Sequence, residues 1–289
     1  MMALARVLFA LAGAGFLLVG IRAYRGSARD FDPPRGPVPR PQGTDSIESL
    51  IEVSFPSGTA MMRGWYIPSR NRAGVVLVHG TTSDRRQMLP EARLLARSGY
   101  GVLLFDLPGS GESGGQWSWG RSECAALAAA FDWMTSRSDL DPHRLGVLGF
   151  SAGASIAATE AAGDPRPRAL VLEGIVLDLY REVRYEYRRY WLLSQLPAML
   201  APVLHGFHSG DLPAKAALPR LAPRPILLIA GTADTSILPG QTQEAYSLAR
   251  MPKQIWLVPG AHHGGYAEVS PREYQLRLTS FFDQALLGP

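Results

Sequence analysis

The chain has 289 residues, 46% of them hydrophobic. That suits one large α/β domain or two small ones with a well-buried core, and it excludes a chain disordered over most of its length. The formal charge of +4 and the pI near 9.4 come from arginine interspersed with acids, since Lys215 and Lys253 are the only lysines. The two local groupings, Arg22/Arg25/Arg29 and Arg181/Arg184/Arg188/Arg189, have apolar or aromatic company rather than the form of a nucleic-acid motif, so nucleic acid is not an expected partner. One cysteine, Cys124, excludes an intrachain disulfide, and no Cys/His group has zinc-ligand spacing.

The first element is the uncharged run Val7 to Ile21, VLFALAGAGFLLVGI, flanked by Arg6, Arg22 and Arg25. With the apolar residues before it, the run approaches the roughly 20 residues that cross a bilayer. It predicts a single-pass transmembrane anchor over 1–22 and a membrane localisation. The same run has two other readings: a signal peptide cut near Gly26-Ser27-Ala28, giving a secreted or periplasmic protein, and a buried core helix. Arginine counting favours a cytoplasmic main domain, whereas many N-terminal anchors deliver the domain outward, so the side stays open. Residues 23–45, rich in proline and arginine, read as an extended tether, and 46–289 as the main domain.

From Ile47 the chain alternates strand-like and helix-like segments. Ile47 to Phe55 and Met62 to Ile67, separated by Pro56-Ser57-Gly58, read as an antiparallel hairpin. Val75 to Val78 is a short β-branched run, the mark of a strand buried on both faces. Arg86 to Ser98 carries Met88, Ala92, Leu95 and Ala96 on one helical face and ends at Gly99. Val102 to Phe105 is a strand, Glu123 to Met134 a helix, Leu145 to Phe150 a strand, Ala152 to Ala162 a helix and Ala169 to Leu172 a strand. Residues 176–215, with Tyr180, Tyr185, Tyr187, Tyr190 and Trp191, are too long for an ordinary connection and predict a lid over a pocket. Ile226 to Ala230, Gln241 to Arg250, Ile255 to Val258 and Glu273 to Leu287 complete the alternation as strand, helix, strand and closing helix. The pattern predicts an α/β fold with a mostly parallel sheet covered on both faces.

Ser151, in Gly149-Phe150-Ser151-Ala152-Gly153, falls between a predicted strand and a predicted helix, the context that gives G-x-S-x-G meaning. A serine hydroxyl needs a base to take its proton, and that base needs an orienting acid. Asp234 follows the strand Ile226 to Ala230, with Glu173 or Asp178 as alternative acids. His262 and His263 follow Ile255 to Val258. The order Ser, Asp, His, each after its own strand, is more specific than the serine turn alone. Backbone amides of Ala152, at a helix start, and of Thr81, in His79-Gly80-Thr81-Thr82, are the expected oxyanion donors. His79 precedes the turn and reads as a brace for that loop. Asp84-Arg85-Arg86 reads as a solvated helix start.

From about Ile47 to Leu287 the chain resembles the α/β-hydrolase family. The resemblance rests on Val78-His79-Gly80, Phe105-Asp106-Leu107-Pro108-Gly109-Ser110-Gly111-Glu112-Ser113, the Ser151 turn, Gly231-Thr232-Ala233-Asp234 and Pro259-Gly260-Ala261-His262-His263. It implies His263 rather than His262 as the base, Asp106 as a loop organiser, and a serine hydrolase of the carboxylic-ester type that needs no cofactor or metal. The expected partner is a small, lipophilic acyl substrate. Amide or peptide cleavage remains the alternative chemistry. A non-catalytic binding protein that uses the aromatic and arginine-rich insertion is the alternative class.

Overall fold

The computed structural model describes residues 2–42, 47, 49–208 and 210–288, with side chains from residue 13 on. The expected tether boundary at 45/46 lies outside the described residues. Eight strands form one sheet: β1 (Ile51–Ser57), β2 (Ala60–Ile67), β3 (Gly74–Val78), β4 (Gly101–Phe105), β5 (Leu145–Phe150), β6 (Pro167–Glu173), β7 (Ile226–Gly231) and β8 (Lys253–Val258). Their order is β1-β2-β4-β3-β5-β6-β7-β8. The expected hairpin is there, pairing β1 with β2 antiparallel, and β2 joins β4 antiparallel. Every other pairing is parallel.

Continuous apolar strands make this sheet two-sided, because alternate residues enter opposite layers. Val76, Leu103, Val147, Leu172 and Leu228 join one layer with α3 (Arg121–Thr135) and α4 (Ala152–Ala161). Val75, Leu77, Leu104, Leu148, Val171 and Leu227 join the other with α2 (Leu89–Arg97), and residues 274–282 close that layer. Each buried Leu or Val contributes about 1.5–3 kcal/mol, so the central strands are fixed by their own composition.

The N-terminal run gives a different result from the one expected. Among the described residues, no helix is long and apolar enough to cross a membrane, which overturns the transmembrane anchor over 1–22 and the membrane localisation drawn from it. The physical reason is visible in the helix α1 (Met2–Ala28), whose C-terminal half packs on the domain. Ala23 and Ser27 are buried, and Gly26 lies so close to the Tyr187 hydroxyl that a Cβ there would run into it. The proline-rich stretch after it lies on the domain surface too. Phe31 and Val38 are buried, and Gly36 N–H donates to Gly111 O at 2.9 Å.

Residues 176–215 contain α5 (Leu179–Glu186), α6 (Leu192–Leu204) and α7 (Ala214–Ala217). The apolar pattern that suggested a lid is used in part against α1, which α6 contacts. The C-terminal part of the chain adds α8 (Pro239–Leu248), α9 (Tyr266–Val269) and α10 (Pro271–Phe282).

Candidate active site

Chain direction in a parallel sheet sends the ends of β3, β5, β6, β7 and β8 to one edge. The chain leaves β3 for β4 on one side and returns to β5 on the other, so strand order reverses beside β3. Crevices form at such a reversal, and here the loops after β3 and β5 line one.

Ser151 occupies the turn between β5 and α4 with φ 56° and ψ −121°, a backbone conformation costly for any residue with a Cβ. Its N–H donates to Glu173 O at 2.7 Å. The flanking glycines are required by space. A Cβ on Gly149 would run into the carbonyl of Gly153, and one on Gly153 into the carbonyl of Val78. The serine is thus held tightly and remains 9% exposed.

His263 Nε2 is 3.0 Å from Ser151 Oγ, and its Nδ1 is 2.8 Å from Asp234 Oδ2. Asp234 is buried, and its other oxygen accepts the N–H groups of Ser236 and Ile237, each at 2.9 Å. Phe150 lies against the His263 ring with centroids 4.7 Å apart. His262 turns away and has Nδ1 3.0 Å from Ala233 O. Neither alternative acid takes the Asp234 position: Asp178 caps α5 by accepting Arg181 N–H, and Glu173 bonds to Tyr274.

The loop after β3 is tied down from two sides. Leu107 N–H donates to His79 Nε2 at 3.0 Å, which leaves the proton on Nδ1 to donate to Gly80 O at 2.7 Å. Burial lowers the His79 pKa to about 4, so the ring is neutral and braces the loop. Gly80 N–H donates to Gln87 Oε1 at 2.7 Å. Thr81 follows in the cavity wall, and Ala152 begins α4.

Asp106 collects Arg85 N–H at 2.8 Å, Glu112 N–H at 2.9 Å and the Arg85 guanidinium at 2.5 Å. Of the solvated helix start expected at 84–86, Asp84 does cap the following 3-10 turn and Arg86 is exposed, but Arg85 is not solvated. Arg85 is 3% exposed, lies over the Trp65 ring and also pairs with Glu112. Buried Asp106 needs that cation, because an unpaired carboxylate there would be costly.

A cavity of about 420 Å³ opens beside Ser151 and His263. It is lined by Gly80 and Thr81, by Met88, Pro90 and Phe150, and by Glu91, Glu173, Tyr266 and Glu268; among the described residues none of its lining comes from 176–215. Gln87, Glu91, Tyr266 and Tyr274 were not singled out from sequence. Among the described residues no three His, Cys, Asp or Glu side chains gather as a metal-binding group.

The sheet and its edge loops have the architecture of the α/β-hydrolase fold. A family model described as X-Pro dipeptidyl-peptidase (S15 family) matches residues 59–218, more than half of the sequence, and the chain belongs to that family. An uncharacterized protein of Mycobacterium tuberculosis is 30% identical over 81% of this chain and 78% of its own length. Among solved structures, the Pyrococcus furiosus esterase Pf2001 has a TM-score of 0.73 at 23% identity, covering 88% of this chain and 99% of that one. The dienelactone hydrolase of Anabaena variabilis has a TM-score of 0.59 at 20% identity, covering 83% and 100%. At these identities the two structures share the fold.

Proposed function

We propose that the protein is a serine hydrolase cleaving a carboxylic ester or related acyl bond through Ser151, His263 and Asp234. The observation that carries this reading is the unbroken chain from Ser151 Oγ to His263 to Asp234, at 3.0 and 2.8 Å. Ser151 Oγ attacks the carbonyl carbon while its proton passes to His263 Nε2, and Asp234 holds the imidazole's orientation and its transient charge. Backbone N–H groups of Thr81 and Ala152 receive the oxyanion. Collapse expels the alcohol, which takes the proton from His263. Water then attacks the acyl-enzyme, gives a proton to His263, and the acid leaves as Ser151 is reprotonated.

Met88, Pro90 and Phe150 give the acyl part an apolar wall, which supports a lipophilic acyl group. A second reading, cleavage of an amide or peptide, is favoured by the family description. The same steps serve it, with an amine leaving.

Labelling with a fluorophosphonate tests the proposal. The folded wild type is expected to be modified and Ser151→Ala to be unmodified; a folded wild type that resists the reagent would sink the reading. Rates on an ester and its matched amide then separate the two chemistries.

A further inference from the structure

Gly80, the residue before Thr81, is held at both of its polar groups. Gln87 Oε1 takes its N–H, and His79 Nδ1 donates to its carbonyl. Both holders depend on one loop, residues 106–115. Leu107 N–H fixes the His79 ring through Nε2. Asp106 takes the N–H and the guanidinium of Arg85, the first residue of the 3-10 turn that carries Gln87. Any slack in residues 106–115 therefore reaches the peptide that aims Thr81 N–H.

The chain after α1 grips this loop from its outer side. Gly111, at φ 48°, is pressed onto Asp106 so closely that a Cβ there would lie 2.3 Å from Asp106 Oδ2. The same glycine donates to Pro34 O at 2.8 Å and accepts Gly36 N–H at 2.9 Å, a parallel bridge centred on Arg35. Arg35 Nη2 donates to Gly115 O at 2.9 Å. The Arg85 guanidinium first, and then the Val38 backbone, hold the Glu112 carboxyl below its ordinary range. Both ends of the segment are anchored. Phe31 lies against Trp119 and His205, with centroids 6.0 and 5.0 Å apart, and Trp119 Nε1 donates to Asp30 O at 3.1 Å. Val38 is buried in the same layer as Trp65 and Leu104. Between these anchors residues 34–37 are exposed, and Pro34 and Pro37 lower the entropy cost of keeping them extended.

We infer that residues 34–38 are a strap that positions the oxyanion loop, acting through Gly111 and Asp106 on the peptide that precedes Thr81. This rests on the serine-hydrolase reading above. The strap touches no substrate and lines none of the cavity beside Ser151. Because a shift of about 1 Å in a reacting group can cost a hundredfold in rate, a loosened strap lowers kcat while binding is kept. A segment that only covers the domain surface would change stability and leave the oxyanion interaction intact.

The test measures kcat and KM of the full-length protein on phenyl butyrate and on its thionoester, O-phenyl thiobutyrate. Sulfur is a weak hydrogen-bond acceptor, so the thionoester draws less on the oxyanion donors and loses less when Thr81 N–H is misplaced. Two variants loosen the strap. Gly36→Ala strains a backbone held at φ 146°, where a Cβ meets no neighbour, and Arg35→Ala removes the bond to Gly115 from an exposed side chain. Each should lower kcat on phenyl butyrate at least about fivefold and the ester-to-thionoester ratio of kcat/KM at least about threefold, with KM nearly unchanged. Arg35→Lys should recover much of the loss. Arg40→Ala, whose bond runs to Leu50 O instead, is the control and should leave the ratio in place. An unmoved ratio in the folded strap variants, an effect confined to KM, or an equal fall in Arg40→Ala overturns the proposal. Arg35→Ala alone decides it if Gly36→Ala does not fold. Fluorophosphonate labelling of the wild type separates the outcomes: labelled enzyme with an unmoved ratio sinks the strap alone, and unlabelled folded enzyme sinks the serine-hydrolase reading.

Discussion

Gln87 Oε1 holds the N–H of Gly80 at 2.7 Å, so a residue at the start of the α2 region fixes the peptide that precedes Thr81. If Thr81 N–H receives the oxyanion, its aim depends on this bond. Gln87→Ala should lower kcat about tenfold to a hundredfold, less than the loss of an oxyanion donor outright, with KM little changed. Gln87→Glu keeps an acceptor oxygen and should recover most of the rate. Steady-state kinetics on phenyl butyrate read both, and a Gln87→Ala effect confined to KM would refute the positioning role.

The adjacent histidines make a paired comparison. His263 faces Ser151 and Asp234, while His262 faces Ala233 O and is exposed. His263→Ala should cost about 10³-fold or more in kcat/KM, and His262→Ala less than about fivefold. Equal losses from the two variants would contradict the assignment of His263 as base.

Ser151 has φ 56° and ψ −121°, where strain costs about 1–3 kcal/mol for a residue other than glycine. Ser151→Gly should therefore be inactive and yet melt above Ser151→Ala, with the backbone strain released. Thermal denaturation of the two inactive variants checks it; a glycine variant melting below the alanine one would show the turn to be unstrained.

The neutral state of His79 predicts a pH effect on stability. Its folded pKa of about 4 lies below the usual value near 6.5, so the unfolded chain binds the extra proton first. The contribution is fully present above about pH 6.5 and is lost as pH falls toward 4, a change of about 3 kcal/mol. Glu91, raised to about 7, acts oppositely, because its contribution is present below the usual carboxyl pKa and is lost as pH rises toward 7. The comparison is therefore made against His79→Gln, which removes only the histidine effect. In urea unfolding, the stability gap between wild type and His79→Gln should be constant above pH 6.5 and shrink toward pH 4; a gap independent of pH would refute it.

Short apolar runs bounded by turn residues made the central strands legible. Leu145–Phe150 falls where the composition puts it, because a strand buried on both faces needs an uninterrupted apolar segment. The cluster of Ser151, Asp234 and His263 was legible for a related reason, since residues just past successive parallel strands meet at one edge. Partners far apart in sequence were not legible. The run Asp84-Arg85-Arg86 looks solvated until Asp106 and Trp65 are placed around Arg85. Glu91 does not stand out within its helix, and its partner Tyr274 comes from the other end of the chain. The helix after Asp84 begins later than expected, at Leu89, because a 3-10 turn over Arg85–Met88 comes first. At the N-terminus the apolar run suggests a bilayer span and a packed helix alike, and the span is overturned by the limited apolar length of the described helix, with Ala23, Gly26 and Ser27 packed on the domain.

Ser151 follows β5 and His263 follows β8, so two whole strands, β6 and β7, stand between the groups that exchange a proton in the proposed mechanism. Neighbouring strands lie about 4.8 Å apart, and the sheet therefore acts as a spacer roughly 14 Å wide that the loops must bridge to within a hydrogen bond. A displacement of about 1 Å can cost a hundredfold in rate. Leu172 on β6 and Leu228 on β7, fully buried in the sheet, thus help set the span that the loops of the site must close, so the interior of the sheet fixes a length as well as holding the layers together.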